Sequence, residues 1–286
     1  MKLFEKIADI RKYLGEMRAG GKRIGFVPTM GFLHKGHQAL MRAAKEDPEV
    51  DLLVVSIFVN PLQFGPQEDY RSYPRDLDHD KELCAGAGAD VLFVPSVEEM
   101  YPEEFATSVE VTGLTEVLCG RSRPGHFRGV ATVVTKLFNI VQPDCAYFGI
   151  KDAQQLVVIQ RMVEDLNLPV KVKAHPTVRE DDGLAVSSRN VYLNKDERRA
   201  ATVIYRSLKL VEEEIRKGER DAARLKLILA ENISAEPLAR LDYAEIVGWP
   251  DLKPVGLLRQ GRVLAAAAAY FGRARLIDNI LVEVEQ

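Results

Sequence analysis

Cysteine, histidine and tryptophan are scarce in this chain of 286 residues, which has 3, 5 and 1 of them. Cys84, Cys119 and Cys145 are an odd number, lie far apart and show no CxxC spacing. That pattern excludes a disulfide framework and a cysteine zinc site, and reads as reduced, packed thiols. A surplus of one charge is also missing. With 39 basic against 42 acidic side chains the formal charge is −3, which argues against a nucleic-acid partner. Long apolar runs are absent too. Val263 to Phe271 is the longest uncharged apolar run, nine residues of which five are alanine, whereas a membrane span takes about 20. Met1 to Lys6 alternates charged with apolar residues and lacks the hydrophobic stretch of a signal peptide. The expectation is a cytoplasmic protein with no membrane or nucleic-acid partner.

What the chain does have is material for a core. Hydrophobic residues make up 47% and charged residues 28%, the balance of a globular protein. A chain of this length buries roughly 70–75% of its unfolded surface, enough for one large core or two smaller ones. No internal repeat or low-complexity segment stands out beyond the alanine run.

Helical and extended patterns alternate through the first 175 residues. Phe4, Ile7, Ile10, Leu14 and Met17 recur at helical spacing before Gly20-Gly21. Short apolar runs begin at Ile24, Leu52, Val91, Cys145 and Val170, and helical stretches fall at about 38–45, 76–85, 127–141 and 153–165. The run Leu52 to Val59 is continuous and rich in β-branched residues, as in a strand buried on both faces. Such alternation predicts an α/β fold, a doubly wound parallel sheet of Rossmann type, with the ligand crevice beyond the carboxyl ends of the strands. After Pro176 the texture changes. A long charged helix over 195–217, a second over 221–231, and β-like stretches at 242–247 and 276–284 predict a smaller α+β domain. Val263 to Tyr270 reads equally as strand or helix. The boundary is placed at 176–186, giving domains of residues 1–176 and 177–286.

Two of the five histidines, His34 and His37, sit in Met30-Gly31-Phe32-Leu33-His34-Lys35-Gly36-His37, after a predicted strand and before a predicted helix. Backbone N–H groups and the helix dipole converge on an anion at such a junction. The glycines permit close approach to a phosphate, and imidazoles with Lys35 add donors. A plain loop with surface histidines is the alternative, and the strand–glycine–histidine–helix context argues against it. A zinc reading lacks an HExxH pattern. A P-loop reading fails because His37-Gln38 stands where Lys-Ser/Thr is required.

Two further segments could meet a nucleotide. Gly149-Ile150-Lys151-Asp152 precedes a helix that carries Gln154 and Gln155. Lys151 suits a phosphate and Asp152 suits ribose hydroxyls or a plain helix cap, while glutamine holds a polar acid without adding charge. Val186-Ser187-Ser188-Arg189-Asn190 offers two hydroxyls and a guanidinium, or an ordinary solvated turn. Asp76-Leu77-Asp78-His79-Asp80 reads as a solvated helix start whose acids favour the dipole, with metal assistance as the alternative.

Taken in order, these blocks resemble the pantoate–β-alanine ligase family, nucleotidyltransferases that share an HxGH motif and are related to class I aminoacyl-tRNA synthetases. The matching text is Pro28 to His37, Phe58-Val59-Asn60-Pro61-Leu62-Gln63-Phe64, Tyr73-Pro74-Arg75, Arg123-Pro124-Gly125-His126-Phe127-Arg128-Gly129-Val130, Gly149 to Asp152 with Gln154-Gln155, and Ser187 to Asn190. The set spans most of the first 190 residues and is highly specific. Beyond them the likeness rests on length and position.

The resemblance implies two steps. Pantoate and ATP give pantoyl adenylate and pyrophosphate, and β-alanine then attacks the adenylate to give pantothenate and AMP. It further implies that Met30, Gly31, Phe32, Leu33, His34, Lys35, Gly36 and His37 cradle ATP, with His37 as the acid catalyst. Gly149, Ile150, Lys151, Asp152, Val178, Val186, Ser187, Ser188 and Arg189 match the remaining nucleotide contacts. Gln63 and Gln155 match the residues that hold pantoate, Gln63 also lying near the β-alanine position. His34, His37, Lys151 and Arg189 are the catalytic candidates, since negative charge attacking the α-phosphorus needs preplaced donors and cations. Mg²⁺ bridges phosphate oxygens, its protein ligands unassigned. A homodimer built through the first domain is expected. Two positions depart from the pattern: Ile150 stands where glutamate is common, and Val186 where methionine or leucine is common. Both act through backbone, so the functional reading stands. The rival readings are another HxGH adenylyltransferase, which needs no β-alanine, and a catalytically inert ATP sensor. A tRNA-charging enzyme would need an anticodon domain and a basic surplus.

Overall fold

The computed structural model describes residues 1–66 and 68–285. In chain order the elements are β1 (Lys2–Phe4), α1 (Ile7–Ala19), β2 (Ile24–Thr29), α2 (Lys35–Glu46), β3 (Leu52–Ile57), α3 (Leu77–Gly86), β4 (Val91–Phe93), α4 (Val97–Met100), α5 (Leu118–Ser122) and α6 (His126–Val141). They continue with β5 (Cys145–Gly149), α7 (Ala153–Asp165), β6 (Lys171–His175), α8 (Lys195–Ala200), α9 (Val203–Arg216), α10 (Ala222–Ser234), β7 (Ala239–Gly248), β8 (Gly261–Phe271) and β9 (Ala274–Val284). Short 3₁₀ turns cover Pro61–Gln63, Ile150–Asp152 and Ser188–Tyr192. Among the described residues no helix is long and apolar enough to cross a membrane.

The chain divides into two compact units. The first comprises residues 1–112, 123–150 and 158–176, and the second residues 113–122, 151–157 and 177–286.

In the first unit six strands form one parallel sheet in the order β1-β4-β3-β2-β5-β6. The predicted doubly wound sheet is therefore the observed one. From β2 the chain runs outward through β3 to β4, then crosses to the other side of β2 to lay down β5 and β6. The direction of winding reverses between β2 and β5, and ligand crevices open beyond the carboxyl ends at such a switch point. β3 is buried along its whole length, as its unbroken Leu-Leu-Val-Val-Ser-Ile text requires. Val27, Met41, Leu53, Val55, Cys84, Leu92, Cys145 and Tyr147 pack as one cluster between the sheet and helices α2 and α3. On the other face Phe26 meets Phe138 of α6 edge-on, with ring centroids 6.4 Å apart. All three cysteines are buried and free.

The second unit holds an antiparallel sheet in the order β7-β8-β9. Leu208, Val211 and Ile215 of α9 and Leu225, Leu229 and Ile233 of α10 share a core with Val263, Ala265, Ala267, Ala269 and Phe271 of β8. This α+β unit agrees with the expectation. The alanine run is resolved as the central strand. Alanine favours helix when isolated, but here its small side chains let a two-helix layer approach a strand paired on both edges, and packing overrides propensity.

Two differences from the sequence reading have local causes. The helix expected over 195–217 is two helices. Thr202 Oγ1 donates to the Arg199 carbonyl at 2.8 Å, a side-chain bond of the kind that bends a helix. Phe4, counted into the first helix, belongs instead to the three-residue strand β1, too short to show a period of its own.

Candidate active site

Within the first unit, three neighbouring strands deliver three loops to one edge: β3 leads to Gln63, β2 to the Met30–His37 segment, and β5 to Gly149 and Ile150. The loop after β2 turns sharply. Gly31 has φ +81° and Phe32 φ +47°. A Cβ on Gly31 would lie 2.9 Å from Asp80 Oδ2 and 2.9 Å from Ile57 Cγ2, so only glycine fits between the loop and its support.

Asp80 is that support. Its carboxylate is 1% exposed and accepts the Phe32 N–H at 2.9 Å and the Leu33 N–H at 2.6 Å. Burial pushes this carboxyl above its ordinary range, and the two amides offset part of that rise. The neighbouring His79 donates from Nε2 to the Leu33 carbonyl at 3.3 Å. The reading of 76–80 as a solvated helix start holds for Asp76, Asp78 and His79, which are exposed, and is corrected at Asp80. Asp76 does cap the helix, accepting the His79 N–H at 3.1 Å, but Asp80 is not solvated: both its oxygens accept loop amides. The signal was in the sequence. Leu77, Asp80 and Cys84 fall at i, i+3 and i+7, the buried stripe of α3.

The two motif histidines close the start of α2. His34 is its N-cap. Its Nδ1 accepts the Gly36 N–H at 3.1 Å, and His37 Nδ1 accepts the His34 N–H at 3.3 Å. Backbone amides can only donate, so each ring accepts at Nδ1 and, when neutral, carries its proton on Nε2. The rings lie 4.0 Å apart between centroids. The result is a pair of oriented imidazole donors beside a helix N-terminus, an arrangement suited to phosphate oxygens.

Gln63 is joined to this loop. Its side-chain Nε2 lies 2.9 Å from Met30 Sδ, and its Oε1 accepts from Asn60 Nδ2 at 3.1 Å. It is 8% exposed, so a ligand displacing these contacts would meet a dry amide.

The second unit carries the remaining candidates. The backbone N–H of Val186 donates to the Val178 carbonyl at 3.0 Å, which sets these two expected nucleotide contacts side by side on a short hairpin. Arg179 tethers the hairpin to β9 through a two-pronged bond to Asp278 at 2.6 and 2.9 Å. Ser187 then caps the turn that holds Ser188 and Arg189, accepting the Arg189 N–H at 3.3 Å. The Lys151 carbonyl accepts from Asn279 Nδ2 at 2.8 Å. Gln154, beside Gln155, is not a ligand candidate: it is buried, its Oε1 accepts the Cys119 N–H at 2.9 Å, and its Nε2 donates to Leu114 and Val117 carbonyls at 2.8 and 2.7 Å.

Among the described residues, one trio of potential metal ligands clusters: Asp47, Glu49 and Cys145. It lies at the amino ends of β5 and β6, opposite the loops above, and Lys173 pairs with both acids. The Lys173 ammonium and the Tyr147 hydroxyl bring the Asp47 carboxyl down to about 2, the behaviour of an ion-paired acid.

Comparison with known proteins agrees with the blocks quoted above. The family model described as pantoate-beta-alanine ligase matches residues 2–281. The chain belongs to that family. A curated pantothenate synthetase from Heliobacterium modesticaldum is 59% identical over 284 residues, covering 99% of this chain and 100% of that protein. The crystal structure of pantothenate synthetase from Thermus thermophilus superposes with a TM-score of 0.93 at 49% identity, covering 100% of both chains. A pantoate-beta-alanine ligase from Francisella tularensis, solved with beta-gamma ATP and beta-alanine, superposes with a TM-score of 0.79 at 35% identity, covering 98% of this chain and 97% of that one.

Proposed function

We infer that this ligase joins pantoate to β-alanine at the expense of ATP, and that the residues described above are its working parts. The family membership carries the reaction. The observation that carries the residue assignment is the pair of imidazoles accepting backbone amides at Nδ1 beside the α2 N-terminus.

In the first step a pantoate carboxylate oxygen bonds to the α-phosphorus of ATP, and the bond from that phosphorus to the pyrophosphate oxygen breaks. Donors at Nε2 of His34 and His37 and the amides at the start of α2 meet the charge that develops. Lys151 and Arg189 supply further positive charge, Arg189 as a planar fork and Lys151 as a point charge. Gly149 to Asp152, Val178 and Val186 to Ser188 hold the nucleotide through backbone and hydroxyl groups. Gln63 and Gln155 hold pantoate with uncharged amides, which add no negative charge beside its carboxylate. In the second step the neutral amine of β-alanine attacks the acyl carbon. AMP leaves and the nitrogen loses a proton. The mixed anhydride is already reactive, so this step needs placement of the amine and exclusion of water. On this reading residues 177–286 act as a lid, Mg²⁺ arrives on the phosphates of ATP as part of the substrate, and the enzyme works in the cytoplasm as a homodimer.

The test is to combine the protein with ATP, Mg²⁺, pantoate and β-alanine and to follow AMP. Formation that depends on both acids is expected. AMP without β-alanine dependence would point to another adenylyltransferase, and ATP binding without pantoate-dependent pyrophosphate exchange to a sensor.

A further inference from the structure

The block Arg123 to Val130 belongs to the family's text, yet neither reaction step above uses it. Two of its side chains, Arg123 and His126, converge on one atom, the backbone carbonyl oxygen of Gln63. Arg123 reaches Glu68 with two prongs, Nε to Oε1 at 2.7 Å and Nη2 to Oε2 at 2.7 Å, and Nη2 also lies 3.3 Å from the Gln63 oxygen. Arg123 Nη1 lies 3.1 Å from His126 Nε2, and His126 Nδ1 lies 2.8 Å from the same Gln63 oxygen. A guanidinium can only donate and a carbonyl can only accept. The imidazole between them therefore accepts at Nε2 and donates from Nδ1, which settles its tautomer. Burial alone would raise the Glu68 carboxyl, but the Arg123 guanidinium outweighs it and holds the carboxyl below its usual range.

The turn is also seated from beneath. A Cβ on Gly129 would lie 2.3 Å from the Leu62 carbonyl oxygen and 2.6 Å from the Gln63 nitrogen, so α6 lies directly against the turn that carries Gln63. Asn60, 1% exposed, donates both to Gln63 Oε1 at 3.1 Å and to the Gly129 carbonyl at 3.0 Å, and accepts from the Tyr101 hydroxyl at 2.8 Å.

We propose that Glu68, Arg123 and His126 form a positioning relay that fixes the Gln63 backbone, and through it the aim of the Gln63 amide at the acid substrate. A general staple would tie two elements together at any convenient point. This one ends on the carbonyl of the residue whose side chain lies beside Met30 of the HxGH loop. The proposal rests on the assignment of Gln63 to pantoate, and the experiment separates the two.

Steady-state half-saturation for ATP, pantoate and β-alanine is measured for His126→Ala, His126→Asn, His126→Gln, Gln63→Ala and the Gln63→Ala/His126→Ala double variant, with thermal midpoints recorded for each. Asparagine carries an amide N–H near the place of Nδ1, whereas glutamine carries it near Nε2, out of reach of the Gln63 oxygen. Loss of an oriented hydrogen bond in the relay should raise half-saturation for pantoate about tenfold in His126→Ala and His126→Gln, with that for ATP within about twofold of wild type. His126→Asn should recover most of the loss, and adding His126→Ala to Gln63→Ala should change nothing more. Equal losses for ATP and pantoate, additivity in the double variant, or failure of asparagine to outperform glutamine would overturn the relay. A normal loss in Gln63→Ala with silent His126 variants overturns the relay alone. Unchanged pantoate saturation in Gln63→Ala removes the Gln63 assignment and the relay with it. Should the alanine variant not fold, the asparagine–glutamine contrast still decides.

Discussion

The two segments assigned to the phosphates of ATP are held in place by different means. In the first unit the loop from Met30 to His37 is fixed from a distance: Asp80, 47 and 48 residues along the chain from the amides it accepts, holds the backbone of Leu33 and Phe32. In the second unit the turn from Ser187 to Asn190 carries bonds of its own, beside the Arg179–Asp278 tether of its hairpin to β9. Ser187 caps it, Asn190 Nδ2 donates back to the Ala185 carbonyl at 3.1 Å, and the hairpin below closes between Val178 and Val186. On the proposed reading, the difference fits each segment to its task. A backbone held from outside presents its amides and imidazoles rigidly, the preorganisation that stabilises a transition state. On the proposed reading, a turn that carries its own cap suits a lid.

The largest effect should come from the rigid loop. His37→Ala removes an oriented phosphate donor together with the acceptor of the His34 amide, so adenylate formation should fall by about a hundredfold or more while the fold persists. Pantoate-dependent exchange of labelled pyrophosphate into ATP is the measurement. A wild-type exchange rate would remove His37 from the mechanism and leave the loop as a binding element only.

The turn of the second unit should give a smaller, divided effect. Arg189→Ala should lose roughly ten- to a hundredfold in adenylation, and Arg189→Lys should keep an intermediate rate, since lysine retains the charge without the fork. Both should melt near the wild-type temperature. Rapid quench in the absence of β-alanine separates two roles: a slow burst of adenylate means phosphate stabilisation, whereas a normal burst followed by free pantoate and AMP means that the turn guards the intermediate. Wild-type behaviour in both would reduce the turn to a linker and dissolve the contrast with the loop.

How much of this could be read beforehand follows the same division between near and far. The parallel sheet was legible because Leu52 to Ile57 and Cys145 to Phe148 are short apolar runs set between helical periods, a pattern that sits in consecutive residues. The HxGH loop was legible because its glycines, histidines and junction position are adjacent in the chain. Strand β1 was not, since its three residues acquire meaning only by pairing with β4, nearly 90 residues on. Alanines 265 to 269 were ambiguous because what decides them is the helix layer across the sheet and the strands on either edge. Arg123 and His126 stood within a quoted block, but their target, the Gln63 carbonyl, lies about 60 residues away, and nothing in either segment announces the other. Gln63 itself was read as a ligand without the turn that aims it. What escapes the sequence here is consistently a contact supplied from another element.

Asp80 gives the finest test of the contrast, because it acts on the loop without touching a phosphate donor. In Asp80→Asn the side chain keeps its shape and one carbonyl oxygen, so either the Phe32 or the Leu33 amide stays satisfied. The other amide then faces an NH₂ group, donor against donor, in a site that is 1% exposed. Leaving one buried amide unpaired costs about 1–3 kcal/mol, and a loop that recovers part of this by shifting no longer presents its amides in the geometry that ATP requires. Affinity for ATP should fall about tenfold, corresponding to roughly 1.4 kcal/mol, and the melting temperature by a few degrees, at about 2–4 °C per kcal/mol. Half-saturation for pantoate should move less, because Gln63 is anchored by Asn60 and by the contacts to its own carbonyl, independently of Asp80. Titration of ATP by calorimetry, with a thermal melt on the same sample, is the measurement. If ATP affinity is unchanged while the melt drops, Asp80 stabilises the unit without shaping the loop. If ATP and pantoate suffer equally, the loop and the Gln63 turn respond as one body, and the remote hold is shared between them.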